Sequence, residues 1–234
     1  MQFKKINQLS IKELFISQIE EMILSGELKP GEKLPTEREI ADEMNISKTI
    51  VHEGIRELSR IGFLDVVSRQ GVYVADYTST GNLDTLFAII RYRGGMPDWK
   101  MIHSLLDVRL YLECPAIEIL AKNHTEQDIK QLEERLDQMK QAFSESMETF
   151  ATALFVYRRT IVVLSGNCIS PLVMNAFFTS SISAWIEYSE FIGKEEIYQN
   201  LEKTTECIRT GDAKTAKNLF QEHIERFRKH IPVQ

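Results

Sequence analysis

Seven side chains in the first third of the chain are of the kinds that meet nucleic acid: Arg38, Ser47, Lys48, Thr49, His52, Arg56 and Arg69. Hydroxyls and cations can hydrogen-bond base edges and neutralise phosphates. Taken singly, each reads as a solvated surface residue. The residues between them gather them onto one face. From Ser47 onward, Val51, Gly54, Ile55, Leu58 and Ile61 recur at the spacing that turns one side of a helix inward, so Ser47, Lys48, Thr49, His52 and Arg56 share the opposite side. No comparable grouping for catalysis is present. There is no Gly-rich phosphate loop, no nucleophile elbow and no acid–base pair on a loop, so no enzyme is expected. Cys114, Cys168 and Cys207 form no CxxC pair and read as buried thiols of a reducing cytosol.

The elements that must hold this face can be traced from their ends. Ser10 with Glu13, and Thr36 with Glu39, are capping boxes in which each side chain satisfies the other residue's free backbone N–H. The first starts a helix whose stripe is Ile11, Leu14, Phe15, Ile19, Met22 and Ile23, with Gln18 at its edge. The second starts a short helix burying Ile40, Ala41 and Met44 and ending at Asn45, a residue that tolerates the left-handed conformation. Ser47 then caps the third helix, and Gly62 ends it. Two short helices joined by about three residues predict a helix-turn-helix. Phe63, Leu64, Val66 and Val67, then Ser68-Arg69-Gln70-Gly71, then Val72, Tyr73 and Val74 predict a hairpin, which in this position is a wing. Arg38, and Arg69 with Gly71 at the wing tip, extend the polar face at its edges.

Composition alone argues against nothing but extremes. With 43% apolar and 26% charged residues over 234 positions, the chain has the balance of one or two globular domains and not of a disordered segment. No apolar run approaches the ~20 residues of a membrane span, and the first residues lack the apolar stretch of a secretory signal, so a cytoplasmic protein is expected. The net charge is −6, and residues 1–76 hold ten bases against thirteen acids. Affinity for DNA must therefore come from bases gathered on one face while the acids point away.

The stretch LKPGEKLPTEREIADEMNISKTIVHEGIRELSRIGFLDVVSRQGVYV resembles the winged-helix domain of the GntR superfamily of bacterial regulators. The resemblance lies in the GEKLPTEREIA opening, the SKTIVHEGIREL core and the closing GVYV strand. It implies DNA binding through Arg38, Ser47, Lys48, Thr49, His52, Arg69 and Gly71. Lys48 and His52 stand where the family usually carries arginines, and a lysine cannot make the bidentate contact of a guanidinium with guanine. The relatives' operator sequence is therefore not carried over.

Residues 76–97 are expected to form a linker carrying a helix (Leu83, Leu86, Phe87, Ile90) that breaks at residues 94–97. From residue 98 to 234 the apolar spacing predicts helices only, a six- or seven-helix bundle. The fold class is thus mainly α: residues 1–75 a winged helix-turn-helix, and 98–234 a helical effector-binding and dimerisation domain. This half is similar to the FadR-like subfamily at DVRLYLE (107–113), the SGN turn (165–167) and IRTGDAKTAKNLFQEH (208–223), and TGNLDTLFAII (80–90) is like its linker.

Many members of that family hold a divalent metal in the bundle. The corresponding positions here are Leu154, Arg158, Leu201 and His223, and one surviving imidazole cannot hold a metal. His52, His103, His124 and His230 show no ligand spacing. No metal and no cofactor are expected. The resemblance instead points to Arg109 and Arg158 as a clamp for a carboxylate or phosphate, with His223 either bonding the ligand or satisfied in the core. The alternative for Arg158 is a pairing with an acid such as Glu113. Tyr157, Trp185 and Tyr188 read as core aromatics. The implied protein is a homodimeric repressor that binds double-stranded operator DNA and answers to a small anion such as a carboxylate or acyl-CoA. The alternative is a regulator acting without ligand, constitutively or through a protein partner.

Overall fold

A computed structural model of the chain describes residues 10–92 and 98–232, with the backbone alone at 179–181. Residues 1–95 and 96–234 form two compact units. In the first, Ser10 and Thr36 make the expected capping boxes for α1 (Ile11–Leu24) and α2 (Glu37–Met44). Asn45 closes α2 in the left-handed region at φ 52°, and the Ser47 hydroxyl accepts from the Ile50 amide at the start of α3 (Lys48–Arg60). Val51, Ile55 and Leu58 are buried, and α1 packs on α3. Gly54 is required at that crossing, because a Cβ there would lie 2.2 Å from the Phe15 ring.

Two expectations need correction. Ile11 and Leu14 are more than half exposed, whereas Phe15, Ile19 and Ile23 are buried. The first turn of α1 lies outside the hydrophobic cluster that begins at Phe15, so the buried stripe is shorter than the apolar pattern. Of the cysteines only Cys114 is buried. Cys168 is exposed in the turn before Ser170 and Cys207 is half-buried.

The wing pairs β1 (Leu64–Val67) with β2 (Gly71–Val74), in register from Leu64 opposite Val74 to Val67 opposite Gly71. The free edge of β2 is covered by the chain before α2: Leu34 donates to the Val72 carbonyl and Val74 to that of Glu32. After the short α4 (Tyr77–Thr80), α5 (Leu83–Tyr92) packs on α1. Polar contacts tie α5 and the residue before it to the end of α3. The Thr85 hydroxyl donates to the Ile61 carbonyl, the Asn82 amide donates to that of Arg60, and Arg60 pairs with Asp84 at 2.6 Å. Gly62 makes this approach possible. Its φ is +86°, and a Cβ would stand 2.9 Å from the Thr85 hydroxyl. The expected break at residues 94–97 lies outside the described residues.

The second unit is helical throughout its described residues: α6 (Trp99–Asn123), α7 (Glu126–Gln141), α8 (Met147–Leu164), α9 (Ser170–Ile192), α10 (Lys194–Arg209) and α11 (Ala213–His230), with a 3₁₀ turn at Ala142–Ser144. Thr125 and Asp128 make a further capping box. α6 packs against α8 and α11, α8 against α7 and α9, and α10 against α7 and α11. Their shared core includes Ile117, Leu132, Phe150, Leu154, Leu201 and Phe220.

Candidate functional site

Burial of Val51, Gly54, Ile55 and Leu58 leaves Ser47, Lys48, Thr49, His52 and Arg56 exposed on α3. Arg38 is exposed in the first turn of α2 and pairs with Asp42 at 3.9 Å. A residue that pattern reading passed over organises the middle of this face. Glu37, at the start of α2, reaches His52 Nδ1 at 2.7 Å and the Lys48 ammonium at 3.9 Å. A carboxylate at Nδ1 keeps a proton on that nitrogen. Arg69 occupies the wing turn at φ +63°, a conformation costly for a side chain with a Cβ. Gly71 beside it has φ +127° and lies close under the Lys33 side chain. Arg56 and Arg69 have no ion pair among the described residues, while Arg38, Lys48 and His52 are each paired with an acid.

In the second unit the chemistry converges on Glu113. α6 supplies Arg109 and Glu113 one turn apart, and the Arg109 Nε donates to Glu113 Oε1 at 2.9 Å. α8 brings Arg158, whose Nε stands 3.8 Å from Glu113 Oε2. Both arginines therefore meet on one carboxylate; for Arg158 this is the pairing that the sequence offered as the alternative to an anion clamp. The Arg109 guanidinium stacks on Trp185 at 3.7 Å, and that of Arg158 lies over Phe220 at 4.5 Å. Asn200 on α10 is 3.5 Å from Arg158 Nη2 and donates its own amide to the Leu219 carbonyl.

The arrangement is incompletely satisfied. Arg158 is 2% exposed, and its Nε and Nη1, like Glu113 Oε2, have no hydrogen-bond partner among the described residues. Buried charges of this kind are stable only when paired and hydrogen-bonded. His223 on α11 lies 7% exposed, with Nδ1 3.1 Å from the Tyr188 hydroxyl and Nε2 3.5 Å from Glu196. Burial, reinforced by the Arg158 charge, lowers its pKa to about 4, so the ring is neutral at pH 7. Tyr157 is buried and bonds Thr205 and the Leu201 carbonyl, as a core aromatic does. Trp185 and Tyr188 are buried too, but they touch the site.

The metal-ligand positions of the FadR-like subfamily do not fit a metal here. Leu154 and Leu201 are buried hydrocarbon, Arg158 is a cation, and His223 is engaged by Tyr188. Among the described residues no group of three or more His, Cys, Asp or Glu is placed to hold one. Beside Arg109, between α6, α8, α9 and α11, lies a cavity of about 50 Å³ whose walls include Leu106, Leu112, Phe155, Met174 and Trp185. Sequence reading missed it, since no single helix carries it.

Comparison with known proteins agrees with both halves. Residues 15–74 match the bacterial regulatory proteins of the gntR family, and residues 104–226 match the FCD domain. The chain belongs to the GntR regulators that carry an FCD domain, of the FadR-like type. It is a DNA-binding transcriptional regulator with a ligand-binding domain, and not an enzyme. It is 26% identical to the transcriptional regulator Mce2R of Mycobacterium tuberculosis over 96% of this chain and 93% of that one. It is 22% identical to LutR of Bacillus subtilis over 87% of this chain and 93% of that one, and 27% identical to the fatty acid metabolism regulator protein of Proteus mirabilis over 67% and 63%. A solved structure of Lar from Listeria monocytogenes shares the fold, with a TM-score of 0.58 at 16% identity over 95% of this chain and 97% of that one. Among the described residues no helix is long and apolar enough to cross a membrane.

Proposed function

We propose that the chain acts in the cytoplasm as a homodimeric repressor that leaves its operator when a small anion enters the helical bundle. On DNA, Ser47, Lys48, Thr49 and His52 face the major groove, Arg38 holds a phosphate, and Arg69 and Gly71 bring the wing to the backbone. One winged helix spans only a few base pairs, so two recognition helices about one DNA turn apart are needed for affinity. In the bundle, Arg109 and Arg158 receive the anion and His223 lines the site as a neutral hydrogen-bonding group. The observation that carries this reading is the buried Arg158, with two nitrogens left without partners beside a second arginine.

The test is a titration of labelled duplex DNA from the region upstream of the protein's own gene, followed by fluorescence anisotropy with and without candidate anions. Loss of binding on adding one anion, together with a dimer in sedimentation velocity, is the expected result. A monomer with full affinity would overturn the dimer. DNA binding that no anion alters would favour the ligand-independent reading, for which the mutual pairing of Arg109, Glu113 and Arg158 already provides a filled site.

A further inference from the structure

We infer that the effector is a short aliphatic monocarboxylate of about propionate to butyrate size, its carboxylate at Arg109 and its tail in the apolar cavity between α6, α8, α9 and α11. This rests on the proposal above that an anion enters the bundle, and it narrows that anion by charge, by polarity and by size.

Charge comes first. The site holds two cations, Arg109 and Arg158, against one carboxylate, Glu113, all largely buried. His223 adds nothing at neutral pH, since its ring is uncharged there. The neighbouring charges on α11 are already matched with acids: Arg226 pairs with Glu196, and Arg228 with Asp107. One uncompensated positive charge remains, so one negative charge neutralises the site. A second would be buried without a partner in a low-dielectric interior, which is strongly unfavourable. Dicarboxylates and phosphate esters are disfavoured for that reason.

Polarity is next. Among the described residues Arg109 is the single charged one lining the cavity, amid walls of leucine, isoleucine, phenylalanine and methionine. The only hydrogen bond of the Arg109 guanidinium among the described residues is from Nε to Glu113, which leaves its two terminal nitrogens for a carboxylate. A sugar acid would bring hydroxyls against the hydrocarbon of these described walls, at a cost for each. An alkyl chain loses nothing there and gains with every CH₂ taken out of water.

Size is last. The open space is about 50 Å³. A dry apolar cavity that accepts the six carbons of benzene is about 150 Å³, so a tail of roughly two to three carbons fits this space. An acyl-CoA does not fit it.

Trp185 stacks on Arg109 and lines the cavity, so its fluorescence reports occupancy directly. The full-length protein should be titrated with propionate, butyrate, succinate, gluconate and octanoyl-CoA, reading tryptophan emission, and the same compounds added to the operator complex. Butyrate or propionate should bind at least tenfold more tightly than succinate or gluconate and should release the DNA. Glu113→Gln raises the net charge of the site to two, and should shift the preference toward succinate by at least tenfold. Succinate, gluconate or octanoyl-CoA binding as well as butyrate in the wild type would overturn the inference. If one of them also released DNA, the proposed function would stand without it. No binding by any of the five, with DNA affinity unmoved, would overturn both. Should Glu113→Gln fail to fold, the wild-type series decides alone.

Discussion

Lowering the pH from 8 to 5 should destabilise the C-terminal unit through His223. The ring has a pKa of about 4 in the folded protein, held down by burial and then by the charge of Arg158. In an unfolded chain it titrates near 6.5. Between these values the unfolded state binds more protons than the folded one, so stability rises with pH across this window. The penalty is absent at pH 8, reaches about 2 kcal/mol at pH 5, and levels off below pH 4 at roughly 3 kcal/mol. Trp99 and Trp185 are the only tryptophans and both lie in the C-terminal unit, so urea unfolding followed by their fluorescence reports that unit alone. His223→Gln removes the titration and should flatten the curve between pH 8 and 5. The pair of Glu196 with Arg226 is present in both proteins. If wild type and variant lose the same stability over this range, the buried neutral imidazole is not the cause.

Three further outcomes follow from named features. Arg38→Ala and Lys48→Ala should each weaken operator binding. At Arg38, a phosphate contact that carries no sequence information, the loss should be similar on all DNA sequences and the salt slope should fall by about one; unchanged binding by both variants would remove them from the interface. Gly54→Ala should cost the winged helix about 1–3 kcal/mol by driving a methyl into the Phe15 ring, measured by thermal unfolding, and a neutral effect would mean that α1 does not press on α3. Purified protein should carry well below one zinc, nickel or manganese per chain in elemental analysis, since Leu154 and Leu201 offer no lone pair; a stoichiometric metal resistant to mild chelation would refute this.

What could be read in the sequence was local. Capping boxes at Ser10 and Thr36, the left-handed Asn45 and the i, i+4 stripe of α3 act over one turn of chain, so residue order alone reveals them. Ile11 and Leu14 show the limit of such reading: an apolar pattern states which face could be buried, while a partner element decides how far burial extends. The grip of Glu37 on His52 joins residues 15 apart, and the two arginines at Glu113 come from separate helices. Arg109 and Glu113 stand at i, i+4 on one helix, but the sequence reading did not pair them, and it named Glu113 only as an alternative partner for Arg158. The cavity could not be foreseen, because it is the space left by four packed helices and no residue type marks it.

The seating of α5 has a consequence for how such regulators can be recombined. Thr85, Asn82 and Asp84 fasten the start of α5 to the last turn of α3, and Arg91 near its end reaches the buried Glu20 of α1. A graft that joined this winged helix to a foreign sensing domain just after the wing would strip away those partners. Ile61 would lose the donor for its carbonyl, and Glu20 would keep a buried carboxylate with no cation. A graft made beyond Tyr92 keeps them all. The reading head therefore travels with its own shaft, and exchange of sensors between relatives should succeed only where the splice leaves α5 with the DNA-binding half.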